Sequence, residues 1–274
     1  MKLISLQMTS NGVVEDNLKQ AEGLLQQAKP KAGDLVLLPE NFACYGGGDK
    51  AYMSIAEHLG KGPIQTWLSQ QAKLYGIYLV AGSVPTKAEE QHRCYTTSLA
   101  FSPAGELLQH YHKLHLFDVD VADNVGSYRE SDSFVAGEQL AWFDMGAIRV
   151  GMAICFDLRF PYLFQLLRQQ GCDIVLLPAA FTALTGEAHW QALLQARAIE
   201  NQLYLVAANQ TGTHKNQRQT WGHSMIVDPW GRCLDLQPSG TGPARADFNP
   251  QLLQQVRDRM PVPLHGQLQL GWRE

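Results

Sequence analysis

Apolar positions along the chain follow two rhythms: short unbroken runs, and longer stretches with one apolar face. Leu35 to Leu38 and Ile174 to Leu177 are unbroken and strand-sized, as in strands covered on both faces. Residues 17–28 place Leu18, Ala21, Leu24, Leu25 and Ala28 at the three-and-four spacing of an amphipathic helix. Segments 64–75, 162–169 and 187–201 predict helices in the same way. In the last, Ala188, Ala192, Leu194, Ala196 and Ile199 form the apolar set against Glu187, Gln191 and Glu200.

The two halves echo each other in order. Met1-Lys2-Leu3-Ile4-Ser5-Leu6 shares its pattern with Ile148-Arg149-Val150-Gly151-Met152-Ala153, and Asp34-Leu35-Val36-Leu37-Leu38-Pro39 returns as Asp173-Ile174-Val175-Leu176-Leu177-Pro178. Ile77-Tyr78-Leu79-Val80-Ala81 returns as Leu203-Tyr204-Leu205-Val206-Ala207. Each half then closes on a hairpin, turning at Ser102-Pro103-Ala104-Gly105 and at Asp228-Pro229-Trp230-Gly231. This predicts an α/β fold, a four-layer α-β-β-α sandwich with duplicated β-α-β-α-β-β halves packed sheet to sheet. The chain is expected to be one domain over 1–274, with repeats at about 1–122 and 138–248. A Gly-, Ser-, Asp- and Glu-rich stretch, 123–137, separates them. The tail, 249–274, begins helical and turns extended at Pro261-Val262-Pro263.

Composition narrows the classes. With 274 residues, 45% apolar and 18% charged, the chain has ample core and is neither disordered nor collagen-like. Lysine plus arginine number 22 against 26 acids, a net charge of -4 with no basic patch. Nucleic acid and anionic membrane are therefore not expected as partners. No apolar run approaches the roughly 20 residues of a membrane span, and the first residues lack a signal-peptide core. Five scattered cysteines, an odd number, suggest reduced thiols and a cytoplasmic location.

Function in such sheets tends to sit beyond the carboxyl ends of strands. Glu40 follows the strand 35–39 where the other half has Ala179, so the repeat keeps the strand but not the acid; a solvated loop acid is the plain alternative. Cys155 ends the strand 148–154 on a strand-to-helix turn, where helix amides favour a thiolate and can cradle an oxyanion; otherwise it is a core cysteine. Lys113 lies among apolar and aromatic residues in His110-Tyr111-His112-Lys113-Leu114-His115, either desolvated against a carboxylate or snorkelling at the surface. The histidines here lack a second ligand pair at zinc spacing. A Cys–His pair using His112, His115, His189 or His223 stays open, whereas a GxSxG elbow and a phosphate-binding glycine loop are absent.

Three segments together resemble the nitrilase superfamily of carbon–nitrogen hydrolases: Leu38-Pro39-Glu40-Asn41, Tyr111-His112-Lys113-Leu114-His115-Leu116 and Ala153-Ile154-Cys155-Phe156-Asp157-Leu158-Arg159-Phe160-Pro161. Lys113 lies 73 residues after Glu40, a spacing that also agrees with the family. The resemblance implies Glu40 as general base, Cys155 as nucleophile and Lys113 as oxyanion stabiliser, aided by the Phe156 backbone N–H. It maps a further glutamate to Glu130 and a site for the substrate carboxylate to Arg159, Phe181 and Thr185. For Arg159 an internal pair with Asp157 is the competing reading. No metal or organic cofactor is implied.

Arg129-Glu130-Ser131-Asp132-Ser133, 184–190 and 221–231 resemble the branch that holds deaminated glutathione amidase and ω-amidase. Ala180-Phe181-Thr182-Ala183-Leu184 is where side chains near the pocket differ between branches. The resemblance thus implies hydrolysis of a small α-keto acid amide, deaminated glutathione ahead of α-ketoglutaramate, with an N-carbamoyl amino acid more distant. A non-catalytic binding protein on the same fold is the rival from another class. A homodimer is also implied, with Leu264, Leu268, Leu270 and Trp272 of the tail available to bury.

Overall fold

A computed structural model of the chain describes residues 1–47, 49–90, 92–123, 126–215 and 217–262. The first half runs β1 (Lys2–Gln7), α1 (Val14–Ala28), β2 (Leu35–Leu37), α2 (Asp49–Ile55), α3 (Pro63–Tyr75), β3 (Tyr78–Val80), β4 (Val84–Lys87), β5 (Cys94–Phe101) and β6 (Leu107–His112). Three small strands follow: β7 (Asp118–Asp120), β8 (Ser127–Arg129) and β9 (Phe134–Val135). The second half runs β10 (Trp142–Met145), β11 (Ile148–Met152), α4 (Pro161–Gln169), β12 (Ile174–Ala179), α5 (Ala183–Asn201) and β13 (Tyr204–Asn209). It continues through β14 (Thr211–Thr213), β15 (Gln219–Trp221), β16 (Ser224–Val227), β17 (Cys233–Gln237), β18 (Gly242–Asp247) and α6 (Pro250–Arg259).

Two sheets result, ordered β18-β1-β2-β3-β5-β4 (with β6 and β9 also on β5) and β10-β11-β12-β13-β16-β17. Leu3, Leu35 and Val80 of the first sheet join Val150, Leu176, Val206 and Met225 of the second in one core. Their alternates Ile4, Leu6, Val36 and Leu79 pack instead with Ala21, Leu24 and Leu25 of α1 and Leu68 of α3, as the period of two requires. Phe164, Leu167, Trp190 and Leu194 of α4 and α5 close the second sheet. This is the expected α-β-β-α sandwich.

The duplication extends to individual hydrogen bonds. Leu3 pairs with Leu35 and Leu35 with Tyr78, as Val150 pairs with Ile174 and Ile174 with Tyr204. Asp34 accepts from Lys2 N at 2.7 Å, and Asp173 from Arg149 N at 3.2 Å. At the hairpins, Ser102 Oγ accepts from the N–H groups of Ala104 and Glu106, and Asp228 Oδ1 from those of Trp230 and Arg232.

Several elements depart from the expected plan. β18, in sequence part of the second repeat, pairs antiparallel with β1 and completes the first sheet, while β10 does the same for β11. The short helix α2 has no periodic signature long enough to predict it. Helix α5 starts at Ala183 rather than Glu187 because Thr182 Oγ1 accepts from Thr185 N. Its buried stripe is Gly186, Trp190, Leu194, Arg197, Ala198 and Asn201, with Ala188, Ala192 and Ile199 exposed. Gly186 sets that stripe, since a Cβ there would lie 2.2 Å from the Trp221 side chain. In the tail, Asn249 caps α6 and Leu253 and Val256 are buried; Leu264, Leu268, Leu270 and Trp272 lie outside the described residues. Among the described residues no helix is long and apolar enough to cross a membrane.

Candidate active site

The chemistry-bearing residues gather beyond the carboxyl ends of the parallel strands. Glu40 comes three residues after β2, in a tight crossing of loops. Gly82, at φ +56°, lies where a Cβ would fall 2.0 Å from the Pro39 carbonyl oxygen, so only glycine fits without moving that loop. Ser83 Oγ accepts from Asn41 N at 2.8 Å, and Gln210 Nε2 donates to the Glu40 carbonyl at 3.0 Å from the facing sheet. Both sheets thus fix Glu40, which is buried.

Lys113 directly follows β6 and is also buried. Its Nζ donates to Glu40 Oε1 at 2.9 Å and to Glu130 Oε1 and Oε2 at 3.0 and 2.8 Å. Glu130, in a 3-10 turn after β8, also accepts from Thr96 Oγ1 at 3.2 Å and Phe117 N at 2.7 Å. Burial opposes the Lys113 charge, but Glu130 and then Glu40 outweigh it and hold the ammonium well above its usual range. For Glu130 burial comes first and raises its pKa, against the pull of Lys113.

Cys155 takes φ +48°, the left-handed region that L side chains rarely occupy, at the step from β11 into a 3-10 helix. Asp157 pins this turn. It is wholly buried, and its Oδ2 accepts from Ile154 N and the Tyr111 hydroxyl, both at 2.8 Å. Its Oδ1 accepts from His115 N at 3.2 Å and meets His115 Nδ1 at 2.6 Å. The Cys155 thiol lies near the Glu40 carboxylate, the Lys113 ammonium and the Ala180 N–H. Burial, then Glu40, pushes the thiol well above its ordinary value despite Lys113. The helix amides expected to favour a thiolate do not prevail, and the resting site holds a neutral thiol beside a carboxylate.

Around these groups lies a cavity of about 330 Å³. Glu40, Lys113, Glu130, Cys155, Phe156, Arg159, Phe181 and Thr185 all line it, as do Ala180 and Thr182. Arg159 does not pair with Asp157, whose oxygens are taken as described. Its guanidinium lies over the Phe181 ring at 5.2 Å and donates to His189 Nδ1 at 3.3 Å. The Cys–His alternative is not assembled: His112 shares a hydrogen bond with Thr97, His115 with Asp157, and His223 with the Trp221 carbonyl. None of these, nor His189, lines the cavity. Cys94 and Cys172 are buried in the core, their thiols pushed up to about 12 by desolvation.

Sequence reasoning missed part of the wall. Tyr45 and Arg218 line the cavity from irregular loops, Tyr52 from the short helix α2 and Tyr128 from the short strand β8, where no periodicity marks them. Burial raises the hydroxyls of Tyr45 and Tyr52. The stretch 123–137, expected as a boundary, supplies Tyr128 and Glu130 to this wall.

The family model for carbon-nitrogen hydrolases matches residues 3–258. A deaminated glutathione amidase of Yersinia enterocolitica is 43% identical over 261 residues, covering 95% of this chain and 91% of that protein. The omega-amidase NIT2-B of Xenopus laevis is 36% identical over 263 residues, covering 95% of this chain and 93% of that protein. Among solved structures, the NitFhit protein of C. elegans superposes with a TM-score of 0.88 at 33% identity, over 97% of this chain and 65% of that longer one.

Proposed function

The chain belongs to the carbon–nitrogen hydrolase family, and from that premise we propose that it is an amidase acting on a small α-keto acid amide, with deaminated glutathione the favoured substrate. One observation carries this reading: a neutral buried thiol lies beside a carboxylate that is itself held by a buried lysine at 2.9 Å. That set can transfer a proton and stabilise an anion without a metal.

The geometry supports the following mechanism. Cys155 Sγ attacks the amide carbon while its proton passes to Glu40, so no thiolate need exist beforehand. The carbonyl oxygen becomes an oxyanion, met by Lys113 Nζ and the Phe156 N–H. Losing one donor of this kind costs about 3–4 kcal/mol of barrier. Glu40 returns the proton to the nitrogen, the C–N bond breaks, and the amine leaves a thioester. Glu40 then deprotonates water for attack on the thioester carbonyl, and the proton goes back to Cys155 as sulfur departs. Glu130 keeps Lys113 charged and aimed. Arg159, with Phe181 and Thr185 beside it, meets the carboxylate of the α-keto acid.

The greater likeness to a protein named deaminated glutathione amidase, at 43% against 36% for an omega-amidase, favours the first substrate over α-ketoglutaramate. Comparing ammonia or amine release from deaminated glutathione, α-ketoglutaramate and an N-carbamoyl amino acid tests the reading. The expected result is at least a tenfold preference in kcat/KM for the first, about 1.4 kcal/mol in barrier, and no turnover by Cys155→Ala. Preference for α-ketoglutaramate would make the protein an ω-amidase, and silence on all three would favour a binding role. The proposal extends to a cytoplasmic homodimer, checked by light scattering on the purified chain.

A further inference from the structure

We propose that a second cavity beside the catalytic pocket is the subsite for the amine half of the substrate, and that Arg218 receives a carboxylate at the far end of that amine. This rests on the amidase reading and names the group that would separate its two candidate substrates.

The main cavity, about 330 Å³, lies at the small end of the roughly 300–1,000 Å³ usual for ligand sites. A neighbouring cavity of about 200 Å³ shares with it the wall residues Tyr128 and Arg218. These two stand between the cavities. The Arg218 guanidinium carbon stands 5.1 Å from the Tyr128 ring centroid, and the Tyr128 hydroxyl donates to Asp123 Oδ2 at 2.8 Å. The second oxygen of Asp123 accepts from Gly126 N at 3.0 Å. Both its oxygens are therefore engaged, although its charge faces the same space. A guanidinium stacked on a ring presents its donors in a fixed plane, suited to forked contact with a carboxylate.

The cavity has three arginines, and they are not equivalent. Arg129 is tied to Asp120 at 2.9 Å and to the carbonyls of Val119 and Tyr128. Arg159 lies over Phe156 and Phe181, on the wall of the Cys155 turn. Arg218 lies on the tyrosine wall, close enough to Tyr45 and Tyr52 to act on both hydroxyls. Arg159 and Arg218 thus stand on different walls of the cavity.

The candidate substrates differ in the matching feature. Deaminated glutathione is a dianion, with the keto acid carboxylate at one end, a glycine carboxylate at the other and the scissile amide between. α-Ketoglutaramate has the first carboxylate alone, and its leaving group is ammonia. With the keto acid on Arg159 and the scissile carbonyl at Cys155, a peptide amine has the tyrosine wall, Arg218 and the neighbouring cavity ahead of it.

Three amides of one 2-oxoglutaryl group test this: the primary amide, the cysteinylglycine amide, and the latter with its terminal carboxylate blocked as a carboxamide. kcat/KM is measured for the wild type, Arg218→Gln and Arg218→Lys, with circular dichroism and Tm to check folding. The wild type should prefer the free carboxylate to the blocked one by tenfold or more. Arg218→Gln should shrink that preference below threefold, mostly through KM, and Arg218→Lys should restore part of it. A folded Arg218→Gln protein that keeps the wild-type preference, or loses equally on all three amides, overturns the proposal. Wild-type activity on the primary amide alone removes the subsite but leaves the amidase reading standing. Activity on none of the three removes both.

Discussion

The Tyr111 hydroxyl donates to Asp157 Oδ2 at 2.8 Å, and through this bond the strand that presents Lys113 is fastened to the turn that presents Cys155. Tyr111 stands two residues before Lys113, and Asp157 two after Cys155. Tyr111→Phe keeps the ring and removes the fastening, and it also strips Leu114 N of its acceptor. The loss should cost about 1–3 kcal/mol of stability and lower kcat more than KM. Urea melts beside steady-state kinetics check it; an unchanged kcat would show that the two elements hold their register without the bond.

Lys113→Met replaces the ammonium with a group of similar length and leaves buried Glu40 and half-buried Glu130 without their cation. Breaking a buried ion cluster in this way costs about 3–5 kcal/mol. Losing the proposed oxyanion donor should lower kcat on the order of 10²–10³-fold. The stability loss depends on pH. Glu130 has a raised pKa in the folded protein, and removing Lys113 raises it further. A group whose folded pKa is raised contributes stability below its unfolded pKa and loses it as pH rises. The deficit should therefore shrink on going from pH 7 towards pH 5, and denaturant melts at the two values should show it.

How far the site is legible in sequence depends on where each residue sits. Glu40, Lys113 and Cys155 stand at strand ends in two repeats that align with one another, so an acid facing Ala179 in the other half is conspicuous. Arg218 and Tyr45 lie in irregular loops of different halves, which meet only because the sheets pack face to face. The buried side of α5 is hidden for another reason. Apolar residues occur all round that helix, and its docking is decided by Gly186 against Trp221 and by Arg197, whose Nε donates to the Leu158 carbonyl at 3.1 Å. The place of β18 beside β1 is likewise a matter of tertiary closure, since nothing in its short alternating pattern says which sheet it joins.

Alkaline pH should destabilise the protein through its core thiols. Burial pushes Cys172 up to about 12 from 9.0. Its contribution is complete below pH 9 and lost between 9 and 12, because the unfolded chain releases the proton first. The slope from this group approaches about 1.4 kcal/mol per pH unit. Cys172→Ala should start less stable at pH 7, from the lost packing, but fall less steeply above pH 9. Parallel melts from pH 7 to 10.5 measure the difference, and equal slopes would assign the alkaline loss to other groups.

Gly82→Ala tests how strictly the crossing of two loops sets the Glu40 carboxylate. A methyl there would lie 2.0 Å from the Pro39 carbonyl oxygen and 2.3 Å from that of Leu38, on a residue at φ +56°. Both atoms are backbone, so no rotamer change relieves the clash, and the left-handed conformation adds about 1–2 kcal/mol of its own. The segment must move, and Glu40 follows Pro39 directly. We expect more than about 2 kcal/mol of lost stability together with a kcat decrease of at least tenfold, because the carboxylate shifts relative to Cys155 and Lys113. Gly33→Ala serves as the control: it has φ +83° and nothing within 4 Å of its added methyl, so it should lose stability from conformation alone and keep its kcat. If Gly82→Ala also kept its kcat, the position of Glu40 would be set from the other side, by Gln210 and the facing sheet.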